Sequence, residues 1–115
     1  MDDTVLLFRA LADPNRLRIV TLLLAAGELC VCDIQRVLHL PQPRVSRHLG
    51  ILQNAGVVTS TRRGRWMHYT LCKGNPLARA VFRILEKTAE ENPQYRKDRV
   101  SLQRCDEARC RGVTT

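Results

Sequence analysis

The segment PQPRVSRHLGIL at residues 41–52 carries the strongest structural signal in this chain. After the prolines at its start, Val45, Leu49 and Leu52 fall on one face of a helix. Gly56 then ends the helix. The opposite face is basic and consists of Arg44, Arg47 and His48. The pattern therefore predicts a helix whose apolar face packs on a core and whose basic face is exposed.

Three shorter helices are predicted upstream of this stretch. Apolar residues recur at helical spacing in residues 5–11, and Asp13 followed by a proline supplies the cap and first position of a second helix. This second helix stops near Gly27. A short amphipathic helix at residues 34–38 closes before Pro41, because the residue that precedes a proline avoids helical dihedral angles. The short helix, the turn and the basic helix together predict a helix-turn-helix.

A two-stranded hairpin and one long helix are predicted downstream. Residues 57–62 and 66–72 are rich in valine, threonine and aromatic residues, with an Arg-Gly turn between them. A helix then extends from Asn75 to about Glu91 and carries two adjacent apolar stripes. We expect part of that broad face to contact a second subunit. The predicted fold class is mainly α with a small β-hairpin (α+β), a dimeric winged helix-turn-helix.

Length and charge predict one domain with a polar extension. The 115 residues have room for one modest core, and residues 1–91 are assigned to a winged helix-turn-helix domain for DNA binding and dimerisation. Residues 92–115 are charged and lack periodicity, which predicts a mobile basic tail with two cysteines. The net charge of +8 favours a polyanionic partner such as nucleic acid.

The five cysteines are expected to be reduced thiols. No run of about 18 apolar residues occurs, and the N-terminus lacks a basic region followed by an apolar one, so neither a membrane partner nor a signal peptide is predicted. We therefore expect a cytoplasmic protein. In that compartment an odd number of cysteines indicates metal binding or redox sensing rather than a disulfide framework.

Two sets of side chains are candidates for contacts with double-stranded DNA. Gln42 and Arg44, near the start of the basic helix, suit base edges in the major groove, because Arg pairs bidentately with guanine and Gln with adenine. The other candidates on that helix are Ser46 and Arg47, for phosphates, and His48. The candidates at the hairpin tip, for the backbone or minor groove, are Arg62, Arg63 and Arg65. A two-fold dimer is expected to bind a palindromic operator.

Two thiols lie just upstream of the helix-turn-helix, in ELCVCDI at residues 28–34. Thiolates select soft, thiophilic ions over hard ones. Cys30 and Cys32 at a helix start should have lowered pKa values, because the positive end of the helix favours the thiolate. Residues two apart on a regular helix point about 200° from each other. We therefore expect binding by both thiols to distort the helix start and to displace Arg44 on the neighbouring helix.

Four segments together resemble the ArsR/SmtB family of metal-responsive repressors. They are ALADPNRLRI at residues 10–19, ELCVCDI at 28–34, PQPRVSRHLGIL at 41–52 and GRWMHY at 64–69. The CVCD pair in its helix context resembles the arsenic- and antimony-sensing branch. This resemblance implies a dimer that binds the operator of a resistance operon and dissociates when As(III) or Sb(III) binds Cys30 and Cys32. It implies no organic cofactor.

The sequence departs from the family pattern at one position. Many relatives carry a third cysteine three residues after the second, whereas this chain has Gln35. Cys105 and Cys110 could complete the Cys30 and Cys32 site, form a second site, or do neither. Cys72 is a further possible ligand, although its position at a strand end favours a packed core residue. The family's zinc sensors use Asp and His on the last helix, and residues 75–91 contain no His.

Four functional hypotheses fit this pattern unequally. The leading hypothesis is a metalloid-released repressor. A redox-sensing repressor, in which the same thiols oxidise, and a sensor of another soft metal such as cadmium remain as alternatives. A thiol enzyme is disfavoured, because no C-x-x-C lies on a βαβ pattern, no phosphate-cradling loop occurs, and no His has a recognisable catalytic partner. The histidines in question are His39, His48 and His68.

Overall fold

Six helices and three strands form one core in the computed structural model, which describes residues 2–112, with side chains described for residues 2–104. The helices are α1 (Asp3–Leu11), α2 (Pro14–Ala26), α3 (Val31–Leu38), α4 (Gln42–Asn54), α5 (Pro76–Glu91) and α6 (Pro93–Gly112). The strands are β1 (Glu28–Cys30), β2 (Val58–Arg63) and β3 (Trp66–Leu71). The predicted mainly α winged helix-turn-helix fold is confirmed.

Helix α2 is central, and the sequence signals at its two ends are present. The Asp13 carboxylate accepts hydrogen bonds from the backbone N–H groups of Asn15 and Arg16 at 2.9 and 3.0 Å. Gly27 ends the helix with a φ of 85°, a left-handed value that favours glycine. Helix α2 packs against all five other helices. Its fully buried side chains include Ile19, Val20, Leu22 and Leu23.

The helix-turn-helix consists of α3 and α4. Val45, Leu49 and Leu52 of α4 are completely buried, as the spacing predicts. Between the helices the chain turns at His39, which adopts a left-handed conformation with φ 58° and donates its backbone N–H to the Gln35 carbonyl. The opposite face of α4 remains exposed and available for a partner.

The sheet has one strand more than the sequence predicts. Strands β2 and β3 form the expected antiparallel hairpin, and β1 adds to the free edge of β3 in the order β1-β3-β2. In the β1–β3 register Glu28 lies opposite Thr70, and Cys30 lies opposite His68. A three-residue strand is too short to show a period of two, so the sequence carries no signal for it. The added strand joins the predicted thiol site to the hairpin.

The prediction of a mobile, aperiodic segment from residue 92 onward is wrong for the described part, because α6 begins at Pro93 and packs against α2, α3 and α5. The Asn92 side chain caps this helix by accepting the backbone N–H groups of Gln94 and Tyr95. Leu102 is buried in the core. The side chains of the two cysteines predicted in the tail, Cys105 and Cys110, lie outside the described residues.

A buried ion pair anchors α6. Both oxygens of Asp98, which is 2% exposed, accept hydrogen bonds of 2.9 Å from the Arg18 guanidinium on α2. Gln94 donates a further hydrogen bond to the same carboxylate. The hydrogen bonds from Arg18 to Asp98 raise the pKa of that guanidinium above its usual value. Helix α6 is therefore attached by polar contacts that a hydrophobicity pattern does not show.

None of the helices in residues 2–112 combines the length and the apolar character that crossing a membrane requires.

We predict that Asp98→Asn lowers the free energy of unfolding by about 2 to 3 kcal/mol. Breaking a buried pair leaves an uncompensated charge, and the cost stays at the low end because Arg18 is partly exposed. Urea denaturation at fixed protein concentration measures the change. The exposed neighbour Lys97→Ala serves as the control and should shift stability by less than about 0.5 kcal/mol. Equal stability of the two variants would contradict the anchoring role.

Candidate metal centre and nucleic-acid interface

The two thiols lie on either side of a strand-to-helix junction. Cys30 is the last residue of β1 and the N-cap of α3, with extended dihedral angles of φ −90° and ψ 167°. Cys32 is the second residue of α3. The expectation that both belong to one regular helix is therefore wrong. The separation of about 200° for helical residues does not apply to them.

Both thiols line one cavity of about 340 Å³. The walls come from the start of α3, the first turns of α4 and the hairpin. The lining residues are Cys30, Val31, Cys32, Gln35, Gln42, Ser46, Arg65, Trp66, Met67 and Tyr69. Three of them, Gln42, Ser46 and Arg65, are also predicted DNA contacts. The thiols thus share a cavity with side chains of both predicted DNA-binding elements.

The Cys30 thiol is buried and hydrogen-bonded. Its Sγ donates to Asp33 Oδ2 at 3.2 Å, and its backbone N–H donates to the same oxygen at 3.3 Å. Burial, assisted by the neighbouring carboxylate, raises the pKa of the Cys30 thiol to about 11. The expectation of a lowered pKa is wrong for Cys30, because loss of solvation outweighs the effect of the helix end. At neutral pH this thiol is protonated until a ligand displaces the proton.

The other predicted ligands do not join the pair within the described side chains. In residues 2–104, no three His, Cys, Asp or Glu side chains converge as a metal site. Gln35 lines the cavity at the position where the family pattern has a third cysteine. Cys72 is a half-buried free thiol that follows β3, outside the cavity lining. Cys105 and Cys110 fall beyond the described side chains.

The predicted DNA contacts on α4 fall into two groups. Gln42, Arg44, Ser46 and Arg47 are exposed. His48 is half-buried, and its Nδ1 lies 3.2 Å from Nη1 of Arg16. Burial, together with nearby arginines, lowers the pKa of His48 below its usual value. Arg16 also donates from Nε to the Ala10 carbonyl at 2.6 Å, so His48 packs where α4 meets the end of α1.

The three arginines of the hairpin tip are exposed but differ in their contacts. Arg62 donates from Nε to the Gly64 carbonyl at 3.2 Å, and Arg65 lines the thiol cavity. Arg63 forms an ion pair of 2.9 Å with Oε1 of Glu28. The other oxygen of Glu28 lies 3.0 Å from Nδ1 of His68. Sequence reasoning missed Glu28, because its partners lie far along the chain and no local pattern relates them.

A helix-turn-helix with an exposed basic second helix, followed by a hairpin with basic residues at its tip, defines a winged helix DNA-binding protein. Residues 13–60 match the model of the arsR family of bacterial regulatory proteins. The chain is 38% identical over 92 residues to the arsenic resistance transcriptional regulator ArsR2 of Pseudomonas putida strain KT2440, covering 79% of this chain and 77% of that protein. This chain belongs to the ArsR family.

Two further comparisons concern a shorter alignment and the fold. The chain is 49% identical over 65 residues to the arsenical resistance operon repressor of Escherichia coli K12, covering 56% of each protein, so it spans about half the length of that relative. The homodimeric winged helix-turn-helix domain of Mb0332 from Mycobacterium bovis superposes with a TM-score of 0.66 at 27% identity, covering 80% of this chain and 82% of that one. These proteins are named as regulators, repressors or DNA-binding domains.

We predict that Cys30 alkylates slowly at neutral pH and that its rate rises with pH toward a midpoint near 11. The raised pKa keeps the thiol protonated below that pH, and only the thiolate is nucleophilic. Mass spectrometry of iodoacetamide-treated Cys32→Ser protein, which removes the neighbouring thiol, gives the rate at Cys30. The same protein in urea is the control and should show an ordinary cysteine midpoint. Identical pH profiles in both conditions would contradict the buried, hydrogen-bonded thiol.

Proposed function

We propose that this protein is a dimeric repressor that binds palindromic operator DNA and dissociates when As(III) or Sb(III) binds Cys30 and Cys32. The observation that carries the proposal is the shared cavity, in which both thiols meet Gln42 and Ser46 of α4 and side chains of the hairpin. The names of the arsenical resistance relatives support the metalloid as inducer. We place this activity in the cytoplasm.

Metalloid binding requires a change at Cys30. Trivalent arsenic exchanges two hydroxyl ligands for two sulfurs, and the two thiol protons leave with these hydroxyls as water. The S–H hydrogen bond from Cys30 to Asp33 is lost in the exchange. The third position on the metalloid is completed by a hydroxyl, by a small external thiol, or by Cys105 or Cys110 on α6, which packs against α3.

Loss of DNA affinity follows from what lines the cavity. A metalloid held by Cys30 and Cys32 occupies the space beside Gln42 and Ser46, and the thiols must move toward it. A displacement of the start of α4 misaligns Arg44 with the base edges that it contacts. A coupling free energy of about 3 kcal/mol weakens operator binding about 150-fold.

The dimer contact is assigned to exposed apolar side chains on α1 and α5. Phe8 is 50% exposed and Val5 is 42% exposed on α1, and Ile84 is 64% exposed on α5. Large exposed apolar residues in a small domain indicate a protein interface. The homodimeric domain from Mycobacterium bovis supports a dimer. A two-fold dimer presents two copies of α4 to half-sites about one helical turn apart.

We predict that arsenite or antimonite releases operator DNA from the reduced protein at concentrations where zinc has no effect. Fluorescence anisotropy of a labelled operator fragment, titrated in parallel with arsenite, antimonite, cadmium and zinc, measures the release. The Cys30→Ser, Cys32→Ser double variant should bind DNA normally and lose the response, because the sulfur ligands are gone. Cys72→Ser, outside the cavity, is the matched control and should respond like the wild-type protein.

Each contrary outcome would replace one part of the proposal, either the inducer or the residues that bind it. Release by cadmium alone identifies another soft metal as the inducer. If none of the four ions releases DNA, a further titration with peroxide tests the redox sensor, which release by peroxide would identify. A full response in the Cys30→Ser, Cys32→Ser variant would indicate that Cys105 and Cys110 bind the inducer. A Cys105→Ser, Cys110→Ser variant would then test that assignment.

We predict that Arg44→Ala weakens operator binding by about 1 to 3 kcal/mol and relaxes specificity at one base pair in each half-site. The exposed guanidinium near the start of α4 suits a bidentate contact with guanine. Anisotropy titrations with operators substituted at single base pairs measure both effects. Lys97→Ala, which removes an exposed charge on α6, is the control. An unchanged binding isotherm for Arg44→Ala would exclude this residue from base recognition.

A further inference from the structure

One short strand carries both a sensing thiol and the anchor of the wing, the hairpin formed by β2 and β3. Glu28 and Cys30 are the first and last residues of β1 and are two positions apart. Side chains two apart on a strand point to the same face. Cys30 lines the thiol cavity, while the Glu28 carboxylate contacts the wing. A displacement of Cys30 is therefore separated from Glu28 by only two positions along one strand.

The Glu28 carboxylate holds both strands of the wing. Its Oε1 accepts a 2.9 Å hydrogen bond from Arg63 at the end of β2, and its Oε2 lies 3.0 Å from His68 on β3. Glu28 pairs with Thr70 across the sheet, so His68 is its diagonal neighbour, within reach of a long side chain. His68 is also the cross-strand partner of Cys30. Two routes, one through the backbone and one through a side chain, thus connect β1 to the wing.

The mechanical properties of β1 suit it to transmit movement. It has three residues, lies at the edge of the sheet and pairs with β3 alone. Its middle residue, Leu29, is buried in the core, but α3 is held by three such residues, Ile34, Val37 and Leu38, and by the packing of α6 against it. When Cys30 and Cys32 close on one ligand, the element that resists less moves further. That element is β1.

We propose that Glu28 is a positioning residue that transmits occupancy of the thiol site to the DNA-contacting wing. This inference rests on the proposed metalloid-released repressor and deepens it. Ligand binding shifts Cys30, β1 moves with it, and Glu28 carries Arg63 and His68 away from the orientation that the wing needs on DNA. The wing then loses its alignment together with α4, so that both DNA-binding elements respond to one ligand.

The role of Glu28 is one of geometry rather than stability. Arg63 is 60% exposed and Glu28 is 30% exposed, and such surface ion pairs add little to the free energy of folding. Glu28→Gln should therefore fold normally while weakening the connection between the strand and the wing. The relevant quantity is the ratio of operator Kd values with and without saturating arsenite. A purely structural role would leave that ratio unchanged.

The test separates ligand binding from its transmission. Trp66 is the only tryptophan in the chain and lines the cavity, so its fluorescence reports arsenite binding in the absence of DNA. Operator anisotropy, with and without saturating arsenite, then gives the Kd ratio. For Glu28→Gln we expect arsenite binding within about twofold of wild type and a Kd ratio lowered by about fivefold or more, the lower end of typical allosteric couplings.

Two further variants complete the test. Arg63→Gln, which removes the other end of the ion pair, should lower the Kd ratio similarly, and the double variant should lower it no further. Arg62→Gln is the matched control, because Arg62 lies on the same strand and hydrogen-bonds to Gly64 rather than to Glu28. It should weaken DNA binding in both states and keep the wild-type ratio.

The contrary outcomes are distinguishable. A wild-type protein whose Trp66 signal and operator binding ignore arsenite would overturn the proposed function and the relay with it. A normal wild-type response combined with an unchanged Kd ratio in Glu28→Gln would overturn the relay alone. Glu28→Gln and Arg62→Gln that lower the ratio equally would also overturn it, because the effect would then follow the charge of the wing and not the contact with β1.

Discussion

The carboxylate of Asp33 accepts both the backbone N–H and the thiol of Cys30, and this contact fixes the point at which β1 ends and α3 begins. Without the Asp33 carboxylate, the backbone N–H and the thiol of the buried Cys30 would lose this acceptor, at a cost of about 1 to 3 kcal/mol. Because the junction falls between Cys30 and Cys32, one thiol belongs to the sheet and the other to the helix-turn-helix. A ligand shared by them would join the sheet to the helix-turn-helix a second time, beside the contact between Cys30 and Asp33.

This placement explains how a small ligand can influence a large interface. An operator complex depends on many phosphate contacts and on a few base contacts that require exact alignment. The thiol cavity is lined by Gln42 and Ser46 of α4 and by Arg65 of the wing, so in the proposed repressor a ligand on the two thiols would act beside predicted DNA contacts and would need no distant pathway. Small movements at this junction would matter in that proposal, because hydrogen bonds to base edges weaken steeply with misalignment.

The sequence predicts the elements that have strong local signals and misses those held by distant partners. The α4 face, the cap at Asp13 and the hairpin follow from spacing and residue type, and the structure confirms them. Helix α6 was missed because Asp98 is anchored by a residue 80 positions away, although Asn92 followed by proline repeats the cap that starts α5. The raised pKa of Cys30 was missed for the same reason: burial depends on the assembled fold and not on the position in a helix.

The packing around α3 limits which elements a ligand bound at the two thiols could move. On one side α3 packs against α4, and on the other it is covered by α6, whose Asp98 is anchored to Arg18. Moving α3 as a body would disturb both contacts and the buried side chains between them, which cost several kcal/mol each to expose. A shift of the edge strand or of the first turn of α4 breaks fewer contacts. In the proposed repressor, the packing that holds α3 and α6 in place would therefore direct the response toward β1 and the start of α4.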